Sequence, residues 1–159
     1  MNVEYIENSQ SEGFSQVELD KFRRQMRVDA PDFEYDPDYV KFIERYNGGK
    51  PFRASFEVAK DEWFTIDRFL NFSDMHNCPE SDLIFHVHQN WNMIEDRLKM
   101  GMFPFAALSG GDFLVFEYEP SGQPKIALWY HEKSVEGNPY TKTIANNFVD
   151  FVNSLVVST

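Results

Sequence analysis

Apolar positions along this chain follow two different periods, and the switch between them marks out its elements. Leu19, Phe22 and Met26, with Val17 before them, recur at helical spacing, and Phe22 and Met26 share a face. Ser15, followed three residues on by Glu18, predicts a capping box at the start of that helix. A second stripe, Tyr39, Phe42, Ile43 and Tyr46, falls at i, i+3, i+4 and i+7. Asp36-Pro37 is expected to cap its start, and Asn47-Gly48-Gly49 to stop it with residues that tolerate left-handed geometry. The period then shortens. Phe52 to Val58 alternates, and Trp63 to Phe72 holds a second strand rich in aromatic and β-branched residues. Ile84, Val87, Trp91, Ile94 and Leu98 predict a helix opened by Ser81-Asp82 and ended by Gly101. Strands are expected at 103–108, 112–119 and 125–131, with Gly110-Gly111 as a tight connection or bulge. Glu119 to Pro124 is expected to turn the last two into a hairpin. Residues 132–141 read as a loop, and a final helix from Ile144 to Val156 carries Phe148, Phe151, Val152 and Leu155 on one side. Residues 1–14 are polar and read as a flexible tail. This order predicts one α+β domain over 15–159, with a mainly antiparallel sheet packed against several helices.

Composition narrows the setting. In 159 residues there are 16 Phe, 7 Tyr and 3 Trp, each able to remove about 150–250 Å² from water, so the core needs no staples. The one cysteine, Cys78, leaves no internal disulfide and no cysteine-rich zinc site, and it suits a reducing compartment. The acidic start, Met1-Asn-Val-Glu-Tyr-Ile-Glu7, is not expected to be a signal peptide. No apolar run approaches the roughly 20 residues of a membrane helix, so a soluble, cytoplasmic protein without membrane contact is expected. The formal charge of −11 repels nucleic acid and anionic lipid at a distance and favours encounter with a basic partner. The same charge also keeps an aromatic-rich protein soluble.

Candidate chemistry is thin. His86 and His88 have metal-ligand spacing only on a strand; on the predicted helix their side chains diverge by about 200°. Together with His76 and Cys78 they could form a metal site, and Cys78 has no base beside it in sequence other than His76. Ser109-Gly-Gly-Asp112 lacks the Gly-x-Ser-x-Gly frame of a nucleophile elbow. Glu117 and Glu119 share a strand face, but nothing else supports a glycosidase. Lys21, Arg23, Arg24 and Arg27 make the first helix basic, which reads as a solvated face. No catalytic residue, cofactor or metal is therefore expected. The connector 29–38 stands apart, with five acids, no bases, and two aromatic residues among them. Asp29, Asp32, Phe33, Glu34, Tyr35, Asp36 and Asp38 are the candidate partner-binding residues, as aromatic anchors ringed by acids that hold a basic protein surface. In the competing reading the loop is solvated and Phe33 and Tyr35 tuck into the core.

Tyr39 through Gly49 resembles the helix and Asn-Gly-Gly turn of the SUKH superfamily, bacterial immunity proteins related to a fungal cell-wall-assembly regulator family. Phe103-Pro-Phe-Ala, then Gly110-Gly111-Asp112 and an alternating strand, resembles its second block. Ile126 to Glu132, ending Leu-Trp-Tyr-His-Glu, resembles the strand that follows, and Asn147-Phe-Val-Asp-Phe-Val its last helix. The family's Leu-Pro before the first tyrosine is replaced by Tyr35-Asp-Pro37, and 60–100 carries no matching pattern. The resemblance implies a non-enzymatic α+β domain that binds and neutralises a toxin, often a basic nuclease, of a contact-dependent or polymorphic toxin system. Partner surfaces vary in that family, so it supplies no site residues. The alternatives are a regulatory interaction module unrelated to toxins and a small enzyme using His86 and His88.

Overall fold

The computed structural model describes residues 1–118 and 123–158. Helix α1 (Gln16–Asp29) begins where the Ser15 hydroxyl accepts the Glu18 amide at 3.3 Å. The capping box is half made: the Ser15 amide donates to the Phe72 carbonyl at 2.8 Å, which moors the helix start to the loop after the second strand. Helix α2 (Pro37–Tyr46) starts as expected, with the Asp36 side chain accepting the Asp38 amide at 3.0 Å and Pro37 in the first turn. Asn47 ends it at φ 42, and Gly48 and Gly49 continue through φ 90 and φ 101. The chain then enters β1 (Arg53–Ala59) and β2 (Glu62–Phe69).

Short helices α3 (Glu80–Leu83) and α4 (Val87–Ile94) follow, then a 3-10 turn at Glu95–Arg97. Strands β3 (Phe103–Leu108), β4 (Phe113–Glu117), β5 (Lys125–Trp129) and β6 (Thr141–Ala145) come next, and α5 (Phe148–Ser154) leads to β7 (Val156–Val157). All seven strands form one antiparallel sheet in the order β6-β5-β4-β3-β2-β1-β7. The expected α+β class holds.

The chain ends at β7 on one edge of the sheet, having left β6 on the other. Six strand spacings in a flat sheet amount to about 29 Å. The link from Ala145 to Val156 contains the seven-residue α5 and reaches roughly 27 Å at most. The sheet therefore has to curl, and bulges between paired strands help it do so. Helix α5 closes the curl. Its Phe148 ring packs on Tyr39, Phe42, Phe105 and Phe116 at centroid distances of 5.4, 5.1, 5.7 and 5.8 Å. Its Phe151 meets Phe56 of β1 at 5.5 Å and Phe105 of β3 at 6.1 Å. Phe103 extends the aromatic core to Phe22 of α1 and Tyr39 of α2.

Four expectations change. The helix over 82–98 is broken, because Asn71 bonds the Phe85 carbonyl and the Val87 amide, both at 2.9 Å, and so holds 85–87 extended. The apolar spacing is real, but it spans two short helices. Residues 141–145 are strand β6, where Thr141 and Thr143 pair with Trp129 and Ala127. The last helix starts later, capped by the Asn147 side chain on the Asp150 amide at 2.8 Å, and the chain after it is extended. Residues 1–14 are tied down: Ile6 donates to the Lys50 carbonyl, Phe52 to the Glu4 carbonyl, and Tyr5 packs on Tyr46 at 5.1 Å. Residues 119–122 of the expected hairpin turn lie outside the described residues.

The double glycine is where this N-terminal segment passes closest. A Cβ on Gly49 would meet the Gln10 Cα and the Tyr5 ring at 3.0 Å, and one on Gly48 would meet the Asn71 Cβ at 3.0 Å. Gly48→Val and Gly49→Val therefore combine positive φ with a collision, and each is expected to cost about 2–4 kcal/mol. Thermal melts of both variants check this, and unchanged midpoints refute it.

Candidate functional site

The connector between α1 and α2 lines a groove of about 800 Å³. Its opposite side comes from distant sequence: Met100 and Gly101 after α4, Tyr118 at the end of β4, and Gln123-Pro124 before β5. Six of the seven candidate residues share this stretch of wall with Asp29 at its start, while Asp38 lies on the first turn of α2 outside it.

Their exposure divides them. Asp29, Asp32 and Glu34 are exposed and Asp38 is half-buried. Phe33 and Tyr35 are only 4% and 3% exposed, so neither ring is presented to solvent as an anchor. Phe33 stands edge-on to Tyr35 and Tyr118, both at 5.3 Å, and the Tyr35 hydroxyl donates to the Leu19 carbonyl at 2.8 Å. The two aromatic residues bolt the connector to α1 and the core. Nor is the connector uncompensated: Glu34 accepts Arg23 Nε at 2.9 Å and Arg27 Nη2 at 2.7 Å. Arg23 also bonds Asp20 at 2.7 Å and lies over the Tyr35 ring at 5.1 Å. The basic half of α1 is thus in part the counter-ion of the connector.

Asp36 differs from its neighbours. It is 5% exposed, caps α2, and has no ion pair among the described residues. Burial pushes its pKa above the usual carboxylate value, against the pull of the Asp38 amide. The Tyr118 hydroxyl is shut off from solvent beside the Asp36 backbone, without a hydrogen bond of good geometry. Burial and then the Asp36 carboxylate push the Tyr118 pKa up.

The histidines and the cysteine take structural or unremarkable places. His86 is fully buried and caps α4, its Nδ1 accepting the His88 amide at 3.1 Å. Its Nε2 must then carry the hydrogen, which it donates to the Ser73 carbonyl at 3.0 Å. His88 packs against Phe22 at 5.4 Å, and His76 is exposed. Burial, then Asp82, raises the Cys78 thiol pKa, the opposite of an activated nucleophile. No group of three or more His, Cys, Asp or Glu is placed to hold a metal among the described residues. Glu119, the partner of Glu117 in the expected carboxylate pair, lies outside them.

The short motifs do scaffold work. Asn47 accepts the Phe72 amide at 2.9 Å and donates to Ser73 Oγ at 3.1 Å. Ser109–Gly111 makes the turn from β3 to β4, and Asp112 accepts the His131 amide at 2.8 Å, joining the glycine turn to the end of β5. Sequence reasoning missed Met100, Gly101 and Tyr118 as groove residues, and only the alternation Leu114, Phe116, Tyr118 placed the tyrosine on an inward face.

Residues 13–154 match the model of the SMI1 / KNR4 family (SUKH-1), and the chain belongs to that family. No curated protein and no solved structure matches it. No helix among the described residues is long and apolar enough to cross a membrane.

Two predictions come from these side chains. Burial lowers the His86 pKa from 6.5 to about 4, partly opposed by Glu18. Between those values the unfolded chain binds the proton and the folded one does not, so stability falls as pH drops through that window, by up to about 3 kcal/mol. His86→Asn keeps a capping acceptor and flattens that part of the curve; urea midpoints from pH 7 to pH 4 compare the two proteins. Removing the Phe33 or Tyr35 ring acts first on folding. Phe33→Ala is expected to cost about 3–5 kcal/mol, and a melting temperature within a degree of the parent contradicts its place in the core.

Proposed function

We propose that this chain is a non-catalytic immunity protein that binds and neutralises a cognate toxin of a bacterial contact-dependent or polymorphic toxin system, in the cytoplasm. The observation that carries the proposal is the family match over 13–154, which fits an immunity-protein or interaction-module role. Three features support it. The net charge of −11 favours a basic partner, as nuclease domains are, and disfavours nucleic acid. Among the described residues, Glu18, Asp20 and Glu34 are held in ion pairs, Asp36 caps α2, and burial raises the Cys78 thiol pKa, the opposite of an activated nucleophile. The groove at 29–38 offers acids over apolar walls, the composition of a protein-recognition surface.

The test is gene context followed by co-expression. A toxin domain encoded beside this gene is expressed with and without the chain, and growth is followed. Protection together with a stable complex of the purified proteins supports the reading. A toxin that arrests growth equally in both cases refutes it, and a partner that is not toxic points to a regulatory interaction module instead.

The exposed acids Asp29 and Asp32, with Asp38, are expected to steer encounter. Changing all three to Asn slows association about tenfold at low salt, flattens its salt dependence, and leaves the melting temperature nearly unchanged. Stopped-flow association at two ionic strengths measures it, and an unaltered on-rate places recognition away from this rim.

A further inference from the structure

The groove holds an incomplete version of an arrangement that the connector completes on its other face. On the α1 side, the Arg23 guanidinium bridges Asp20 and Glu34 and lies 5.1 Å over the Tyr35 ring, so a cation, carboxylates and an aromatic face are all present. On the groove side, Asp36 supplies the carboxylate and Tyr118 a half-buried ring, but no cation reaches Asp36 among the described residues.

We infer that this groove receives an arginine side chain of a basic protein partner, with Asp36 as its carboxylate and the half-buried Tyr118 ring beside it.

The state of Asp36 is the main argument. It is 5% exposed, and a carboxylate withdrawn from water without a cation is a costly group that an incoming positive charge relieves. One oxygen accepts the Asp38 amide; the other has no hydrogen bond among the described residues, yet is not among the side-chain atoms sealed from solvent without a partner. It is open to a donor from the groove. Desolvation already pushes the Asp36 pKa up, as expected where a counter-charge is missing.

Arginine fits this wall better than lysine. Its guanidinium is planar, weakly hydrated, stacks on aromatic rings and presents several donors to one carboxylate. The volume of about 800 Å³ is in the range of built binding sites, wide enough for a side chain with part of its backbone. Asp29 and Asp32 at the rim, in a chain of net charge −11, complement a basic surface around that arginine. The inference rests on the proposed function for the partner's being a protein; the guanidinium chemistry does not depend on it.

The test uses the tripeptide amide acetyl-Gly-Arg-Gly-NH2 and its citrulline counterpart, a neutral isostere. Each is titrated into the 15N-labelled full chain and followed by amide chemical shifts. Saturable shifts are expected at Phe33, Asp36 and Tyr118 with the arginine peptide, and binding of the citrulline peptide at least about tenfold weaker. Asp36→Asn keeps the helix cap and removes the charge, and is expected to lose about tenfold in arginine affinity. Asp36→Ser, a different capping residue, gives the same loss if the Asn variant folds poorly. Equal binding of the two peptides, shifts confined to other surfaces, no saturable shift, or unchanged affinity in a folded Asp36 variant overturns the inference. The titration needs no toxin. A neighbouring toxin that fails to bind therefore sinks the functional proposal and leaves this result standing, whereas a toxin that binds a chain indifferent to arginine sinks only the groove.

Discussion

The link between β6 and β7 is too short for a flat sheet, and much of the architecture answers to that constraint. A seven-residue helix with a few flanking residues has to join opposite edges of a seven-stranded sheet. The sheet curls, and α5 lies in the opening with Phe148 and Phe151 facing inward. Curling brings rings from β1, β3, β4, α2 and α5 within about 6 Å of one another, as Phe105, Phe116, Tyr39 and Phe148 show. A core of this kind is insensitive to any one polar contact, because its stability is spread over many edge-to-face pairs and the area they bury. That leaves the rim of the fold free to vary.

The connector is one such rim segment, and its geometry follows from how it is fastened. Two helices must be joined across the end of the core, and Phe33 and Tyr35 fasten the joint by entering it. Burying them draws Asp36 inward as well, where it is needed as the cap of α2. A residue placed for a helix cap thus becomes a desolvated carboxylate on a concave surface. Glu34, pointing the other way, is met by arginines of α1. The difference between these two acids, separated by one residue, is topological: one faces a helix of this chain and the other lines the groove. On the proposed reading, a local structural need and a recognition feature have the same origin here.

Local patterns carried most of the fold. The α2 stripe with its cap and Asn-Gly-Gly stop, the five strands β1 to β5 and the late apolar helix were all legible, because each depends on residues close in sequence. What was not legible depended on long-range hydrogen bonds. Asn71 breaks the helix at 85–87 by pairing across from the β2 side, which no window around His86 contains. Residues 141–145 become a strand because β5 offers an edge, although Thr141, Thr143 and Ile144 carried the β-branched composition in plain view. At the site, the acids and aromatic residues of 29–38 could be picked out, but not that Glu34 was paired, Phe33 and Tyr35 internal and Asp36 alone. Those distinctions come from α1 on one side and from Met100 and Tyr118 on the other, far apart in the chain.

In the proposed binding role the chain has to discriminate among basic partners, and net charge cannot do that alone. A field from 26 acids attracts any positive surface and mainly sets how fast partners meet. Discrimination requires a place where the right partner satisfies something that a wrong one leaves unsatisfied. Exposed acids such as Asp29 and Asp32 are poor at this, since water solvates them equally well in the free protein. A carboxylate already withdrawn from water is different, because it has lost hydration before the partner arrives and gains a full partner when a guanidinium enters. The cost of preparing Asp36 is carried by the folded core around it, through the Phe33 and Tyr35 rings that hold the connector in place. On the proposed reading, steering belongs to the exposed rim and selectivity to Asp36, the acid that the rim does not contain.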